Sequence, residues 1–127
     1  MAGKKKILLL DDSTITLEME RAVLEDRGYE VAVASNLLEF QAEIDRFKPE
    51  IILTDLMMPD ISGKDIVRVL KQDFHTEQIP IVLFSSKPDD ELAEIAEQAG
   101  ADGFLSKSHG TEKLGDMVDE LVDSIIW

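Results

Sequence analysis

Five short apolar runs alternate with helical patterns along the whole chain, and this alternation constrains the fold more than any other feature. The strand-like runs begin near residues Lys6, Tyr29, Glu50, Ile79 and Asp102. Such an alternation favours a parallel sheet. A right-handed helical crossover returns the chain to the end of the sheet where the previous strand began, so that the next strand runs in the same direction. The sequence therefore predicts an α/β fold built from five βα units.

The texture of the runs predicts the order of the strands. Residues 7–10, 51–53 and 81–84 are continuously apolar, as expected of strands that helices cover on both faces. The run after Tyr29 alternates, and the run at 103–105 is short, and both features suit the edges of a sheet. With the first, third and fourth strands in the centre, we expect a five-stranded parallel sheet of order 2-1-3-4-5, flanked by five helices in the flavodoxin-like, doubly wound manner.

Each helical pattern carries an apolar stripe that we expect to face the core rather than a cofactor. In the first helix the predicted stripe is Ile15, Met19, Ala22 and Val23, with Gly28 as the stop signal. The stripes predicted for the other four helices are, in chain order, Leu37, Phe40, Ile44 and Phe47; Ile66, Val67 and Leu70; Leu92, Ile95, Ala96 and Ala99; and Leu114, Met117, Val118, Leu121 and Ile125.

Length and charge limit the possible functions. The chain has 127 residues, which suits a single domain over 1–127. It contains no cysteine, which excludes disulfides and thiolate metal sites and is compatible with the cytoplasm, where we expect the protein to act. Its net charge of −14 argues against direct nucleic-acid binding, and the sequence offers no segment that could span a membrane.

Charged and hydroxyl side chains follow the central strands at the points where these strands end. Asp11 and Asp12 follow the first run, Asp55 follows the third, Ser85 ends the fourth and Lys107 follows the fifth. Because the carboxyl ends of parallel strands meet at one edge, we expect these groups to converge there. Clustered carboxylates need a compensating cation, and oxygen ligands of this kind suit Mg²⁺. The sequence therefore predicts a magnesium site that handles a phosphoryl group.

A carboxylate beside such a site has chemistry of its own. It can attack phosphorus and form an acyl phosphate. Phosphoryl transfer depends mainly on positioning and on neutralising charge at the equatorial oxygens. Lys107 and Mg²⁺ could neutralise that charge, and Ser85 could donate a hydrogen bond.

The motifs also carry a resemblance to a known family. In chain order they are Leu-Asp-Asp-Ser at 10–13, Thr-Asp-Leu-Met-Met-Pro at 54–59, Ser-Gly at 62–63, Pro-Ile-Val-Leu-Phe-Ser-Ser at 80–86, Ala-Gly-Ala-Asp-Gly-Phe at 99–104, and Lys107. Each motif alone is weak, but together, at these spacings, they resemble the receiver domains of bacterial response regulators, the family of the chemotaxis regulators in two-component signalling. The resemblance covers the whole chain.

This resemblance implies roles for the residues at the sheet edge. Asp55 would accept a phosphoryl group from a phosphohistidine of a histidine kinase or phosphotransfer protein. Asp12 and Asp55 would ligate Mg²⁺ together with the backbone carbonyl of Met57, and Asp11 would act through water. Lys107 would be the phosphate-binding cation.

The resemblance also implies a switch. Ser85 would be the switch hydroxyl and Phe104 the switch aromatic, and the face formed by the fourth helix, fifth strand and fifth helix would bind a downstream protein partner. Such a domain is a phosphoacceptor regulator and not an enzyme, since it catalyses only its own phosphorylation and dephosphorylation. The sequence ends after the fifth helix, so we expect either a stand-alone regulator or a receiver taken from a larger protein.

One position departs from the family pattern. Ser108 follows Lys107 where the family usually has proline after a cis bond, and a cis bond before a non-proline residue costs about 2.5–4 kcal/mol. The sequence therefore does not determine whether the Lys107–Ser108 bond is cis or trans, nor how Lys107 is directed towards the site.

Other interpretations remain to be weighed. Asp11, Asp12 or Ser13 could simply cap the first helix. A degenerate receiver could act as an unphosphorylated interaction scaffold. A phosphatase of the haloacid dehalogenase type would need a second aspartate two residues after the first, where Ser13 stands. A flavodoxin would need an uncharged phosphate loop in place of Asp11 and Asp12.

Overall fold

The computed structural model describes residues 5–55, 63–72 and 78–125. The strands are β1 (Lys6–Leu10), β2 (Glu30–Ala34), β3 (Ile51–Thr54), β4 (Ile81–Ser85) and β5 (Gly103–Ser106). The α-helices are α1 (Thr14–Asp26), α2 (Leu37–Phe47), α3 (Gly63–Gln72), α4 (Asp89–Ala99) and α5 (Thr111–Ile125), with a 3₁₀ turn over Lys107–His109.

The five strands form one parallel sheet of order β2-β1-β3-β4-β5, which confirms the predicted order. β3 and β4 are buried along their whole length, whereas the edge strands β2 and β5 include exposed or half-buried residues. In the register of β1 with β3, Leu10 lies opposite Thr54. The two central strands therefore end level with each other, and their following residues meet.

The sheet separates two layers of core. Leu8 and Leu10 pack on the side of α2, α3 and α4, whereas Ile7 and Leu9 pack on the side of α1 and α5. This division follows from the alternation of side chains along a strand. By the same alternation, the side chain of Asp11, which follows Leu10, points towards the side of α1 and α5.

The apolar stripes predicted for α2 and α4 lie in these two layers, as do Leu114, Met117, Val118 and Leu121 of the α5 stripe, while the side chain of Ile125 lies outside the described residues. In α3, Val67 and Leu70 are buried, and the side chain of Ile66 lies outside the described residues. Among the described residues, no helix has both the length and the apolar character needed to cross a membrane.

The stripe predicted for α1 is wrong. Ile15 is 75% exposed and Met19 55% exposed, while the buried residues of the helix are Leu17, Glu20 and Leu24. These three follow each other at spacings of three and four, so they do share one helical face. The carboxyl group in the middle of that face concealed the pattern, because a glutamate is almost never fully buried.

A cluster of polar contacts joins the end of α1 to α5. The guanidinium of Arg27 lies 2.6 Å from Asp119, 3.0 Å from Asp116 and 3.4 Å from Glu112. The side chain of Arg27 reaches these groups by crossing the backbone of α5 at Gly115, where an added Cβ would lie 2.1 Å from its Nε. The absence of a side chain at position 115 therefore allows Arg27 to cross.

We expect Gly115→Ala to reveal this close approach in a double-mutant cycle with Arg27→Ala. In the Arg27→Ala background, the alanine should raise the free energy of unfolding by about 1 kcal/mol, because alanine is the better helix former. In the wild-type background the gain should be smaller or reversed, because Arg27 must move. Urea unfolding of the four proteins measures the difference, and equal effects in both backgrounds would contradict the proposed crossing.

Candidate functional site

The carboxyl ends of β1 and β3 bring three aspartates together, as the sequence predicts. The ladder continues one residue past each strand, since the Asp11 amide donates to the Ala34 carbonyl at 3.2 Å and the Asp55 amide to the Leu10 carbonyl at 3.0 Å. One carboxylate oxygen from each of Asp11, Asp12 and Asp55 lies within 4.8 Å of the others. The backbone pairing thus fixes the cluster.

The three carboxylates differ in exposure. Asp11 is 2% exposed and Asp55 7%, whereas Asp12 is open to solvent. A cation held here would have protein oxygens on one side and water on the other, which is the environment that Mg²⁺ prefers. The carbonyl of Met57, the further ligand that the resemblance implies, lies outside the described residues.

Lys107 supplies a positive charge inside the cluster. Its Nζ donates to Asp11 Oδ2 at 2.7 Å and to Asp55 Oδ2 at 3.3 Å. Burial opposes the charged form, but the hydrogen bond to Asp11 and the charge of Asp55 outweigh it and raise the pKa of Lys107 above its ordinary value. The two neighbouring carboxylates therefore stabilise the charged form of Lys107 at the site.

The charges around this ammonium do not balance. Among the described residues, three carboxylates and one ammonium meet at this site, and their formal charges sum to −2. A divalent cation would compensate them, and an all-oxygen donor set suits Mg²⁺ or another hard cation. The residues present therefore fit the predicted metal.

The start of α1 shows which residue caps the helix. Ser13 is the N-cap, and its Oγ accepts from the Thr16 amide at 3.2 Å. Asp11 Oδ1 accepts from the Ser13 amide at 2.9 Å, while its Oδ2 binds Lys107. Both oxygens of Asp11 are thus held, and the cap is Ser13 and not Asp12.

Ser85 and Phe104 lie on the other side of the sheet from Lys107. Ser85 is fully buried at the end of β4, where it pairs with Ser106, and its Oγ accepts from the Lys87 amide at a long 3.5 Å. Phe104 pairs with Leu83, two residues earlier on each strand, and packs against the α2–α4 layer. The two predicted switch residues therefore face the same helices, one diagonal step apart.

The chain beyond β5 takes a path that does not need proline. Lys107, Ser108 and His109 form the 3₁₀ turn, and the described residues contain no cis peptide bond. Ser106 Oγ accepts from the Ser108 amide at 3.3 Å and lies 2.8 Å from the Ser108 hydroxyl. These two serines stabilise the turn from which Lys107 reaches the site.

Glu20 is a buried residue near this cluster that sequence reasoning missed. It is 3% exposed, and its Oε2 has no hydrogen-bond partner among the described residues. Burial raises the pKa of Glu20 to about 8; the charges of Asp11 and Asp55 also raise it, and that of Lys107 lowers it. The signal in the sequence was the spacing of Glu20 between Leu17 and Leu24.

Comparison with known proteins decides the family. Residues 7–119 match the family described as the response regulator receiver domain. The chain belongs to this family. It is therefore a receiver domain of two-component signalling.

Individual relatives agree. The phosphate regulon transcriptional regulatory protein PhoB of Pseudomonas aeruginosa is 36% identical over 114 residues, which cover 90% of this chain and 49% of PhoB. Chemotaxis protein CheV2 of Helicobacter pylori is 34% identical over 111 residues, which cover 84% of this chain and 36% of CheV2. The receiver chain thus spans half or less of the length of these curated relatives.

A solved structure shows the same architecture. The chemotaxis response regulator CheY4 of Vibrio cholerae superposes with a TM-score of 0.84 at 26% identity, over 93% of this chain and 98% of CheY4. The predicted flavodoxin-like fold is therefore confirmed by both topology and comparison.

The protonation of Glu20 predicts how stability changes with pH. Its carboxyl group loses its proton near pH 4.5 in the unfolded chain and near pH 8 in the folded receiver. Between these values the folded state holds an extra proton, so the free energy of unfolding falls as pH rises, by up to about 1.4 kcal/mol per unit.

Glu20→Gln should abolish this contribution. Compared with the wild type in metal-free buffer, the variant should gain stability steadily between pH 4.5 and pH 8. Urea unfolding at several pH values measures the difference, with the exposed Glu18→Gln as control. Parallel stability curves for the wild type and Glu20→Gln would show that Glu20 is ionised in the fold.

Proposed function

We propose that this receiver is a phosphoacceptor switch in which Asp55 takes a phosphoryl group from a histidine kinase or phosphotransfer protein in a Mg²⁺-dependent reaction. The observation that carries the proposal is the ammonium of Lys107, which bridges Asp11 and Asp55 within a cluster of three carboxylates. A cation held beside an acidic group at a sheet edge suits the transfer of a charged group.

The transfer itself would proceed by nucleophilic attack of Asp55. An Oδ–P bond forms to the incoming phosphoryl group, and the P–N bond to the donor histidine breaks as the imidazole leaves with the bonding pair. Lys107 already lies 3.3 Å from Asp55 Oδ2, so its charge faces the oxygens on which negative charge develops.

Asp12 and Asp55, with the backbone carbonyl of Met57 and with Asp11 through water, would hold the metal. Mg²⁺ supplies charge neutralisation between the carboxylates and the phosphoryl oxygens. The Ser13 amide and Lys107 each donate a hydrogen bond to Asp11, and these two bonds fix the orientation of its carboxylate.

The donor would approach along the exposed side of α1. Ile15 and Met19 stand exposed one turn apart, directly after the acidic cluster in the chain. Met19 also lines a cavity of about 330 Å³ that contains Lys107 and Phe84. An exposed apolar pair beside a reactive group suits a protein partner.

Phosphorylation would act on the face formed by α4, β5 and α5, to which a downstream protein binds. Ser85 and Phe104 lie on one side of the sheet, and Phe104 packs into the layer that includes Leu92, Ala96 and Ala99 of α4. A phosphoryl group that draws the Ser85 hydroxyl towards it favours one packing of Phe104, and a bound group shifts a conformational equilibrium only through such a difference.

In this proposal residues 1–127 work as one cytoplasmic receiver unit and a regulator, which catalyses its own phosphorylation and dephosphorylation. An unphosphorylated scaffold is the alternative. It would have no use for the contact between Lys107 and Asp55.

Asp55→Asn should abolish phosphorylation, because it keeps the shape of the side chain and removes the nucleophilic oxygen. Incubation with Mg²⁺ and a small phosphodonor, followed by intact-mass measurement, should show one phosphoryl group on the wild type and none on the variant. Asp12→Ala should also lose labelling, whereas the exposed Asp90→Asn should keep it. An unlabelled wild type would favour the scaffold.

Ser85→Ala should separate phosphorylation from its structural effect. The variant should still accept a phosphoryl group, since Asp55 and Lys107 are intact, but the change in α4, β5 and α5 should weaken. Amide NMR shifts of the phosphorylated proteins measure this change, with the exposed Ser86→Ala as control. Shift changes confined to α1 and α2 in the wild type would contradict the proposed output face.

A further inference from the structure

The packing of the fold does not explain why a carboxyl group is buried at position 20. Its helical neighbours on the same face are Leu17 and Leu24, both members of the apolar layer between the sheet and α1 and α5. An apolar side chain at this position would complete the layer. A buried polar atom without a hydrogen bond weakens the folded state, so the presence of Glu20 needs another explanation.

The neighbourhood of Glu20 points to Lys107. Phe84 belongs to the same layer as Leu17 and Leu24, and the ammonium of Lys107 lies over the Phe84 ring, 5.8 Å from its centre. Glu20 and Lys107 therefore lie on the same side of the sheet. The charge of Lys107 also lowers the pKa of Glu20, as expected for two groups on the same side of the sheet.

Lys107 has one N–H more than the bonds it makes to the aspartates. Its ammonium has three donors, and two of them serve Asp11 and Asp55. When Asp11 and Asp55 turn to a cation and a phosphoryl group, the ammonium must exchange at least one of these bonds. Glu20 Oε2 is a buried acceptor without a partner among the described residues, and Glu20 lies on the same side of the sheet as the ammonium.

We propose that Glu20 is a positioning residue for Lys107, whose buried carboxyl group accepts a hydrogen bond from the ammonium in the phosphorylated receiver and keeps it aimed at the phosphoryl group. The proposal rests on the proposed function of Asp55. Glu20 touches neither the phosphoryl group nor the metal, and it acts only through Lys107. Glu20 Oε2, which has no hydrogen-bond partner among the described residues, is the acceptor that this second arrangement uses.

The test compares two substitutions of similar size in the full chain. Glu20→Gln keeps a side-chain carbonyl that can accept from Lys107, whereas Glu20→Met fills the same space with an apolar group. Glu18→Met, on the exposed side of the same helix, is the matched control. Each protein is unfolded in urea, and each is labelled with Mg²⁺ and a small phosphodonor while intact mass is followed over time.

Glu20→Met should unfold at a higher urea concentration than the wild type and yet be labelled more slowly, by about two- to tenfold, the change that corresponds to one hydrogen bond. Glu20→Gln and Glu18→Met should be labelled at close to the wild-type rate. In the complex with beryllium fluoride, a phosphoryl mimic, the NMR signal of the Lys107 ammonium should be protected from exchange in the wild type and in Glu20→Gln, and lost in Glu20→Met.

A merely structural glutamate would change the unfolding midpoint and leave the labelling rate and the ammonium signal unaltered, and that result would overturn the proposal. Equal slowing in Glu20→Gln and Glu20→Met would also overturn it, because the acceptor would then not matter. If the wild type itself is not labelled, the proposed function fails and this role falls with it. A labelled wild type with an unaffected Glu20→Met refutes the role of Glu20 alone.

Discussion

The parallel register of β1 with β3 is the constraint on which the rest of the site depends. Leu10 lies opposite Thr54, and the backbone ladder runs one residue further, so Asp11 and Asp55 leave the sheet side by side. Side-chain alternation then sends both towards the α1–α5 layer, where Lys107 also arrives from the end of β5. A shift of one residue in this register would turn one carboxylate to the opposite face and break the bridge.

Because the three carboxylates converge, they repel one another, and the described residues neutralise this negative charge only in part. Lys107 neutralises one of the three carboxylates and holds two of them at hydrogen-bonding distance. The remaining negative charge makes the site receptive to a divalent cation.

Glu20 is a second acidic group that the fold buries at a cost in stability. The carboxyl group of Glu20 lies on the same helical face as Leu17 and Leu24 of the apolar layer between α1, α5 and the sheet, and the charges of Asp11, Asp55 and Lys107 act on it. Stability alone would favour a hydrophobic side chain there. Functional sites commonly retain such unfavourable groups, and here the group lies on the same side of the sheet as Lys107.

The sequence by itself determined the strands, their order and the position of the acidic cluster, because these follow from the apolar runs and from which residues come next along the chain. It also identified the family, since Asp11, Asp12, Asp55, Ser85 and Lys107 occur in order at characteristic spacings. Local pattern was enough for each of these conclusions.

Only the tertiary structure decided which face of α1 is buried and what lies beneath the site. The stripe of Ile15 and Met19 had the periodicity of a core face, yet both residues are exposed, and Glu20 is buried in their place. A sequence pattern predicts the buried face of a helix from the polarity of the helix's own residues. The face that is actually buried depends on where the neighbouring strands and helices pack against it. Glu20 shares the helical face of Leu17 and Leu24, which pack in the layer between the sheet, α1 and α5. Burial, followed by the charges of Asp11 and Asp55, favours its neutral form, and neither condition can be deduced from α1 alone.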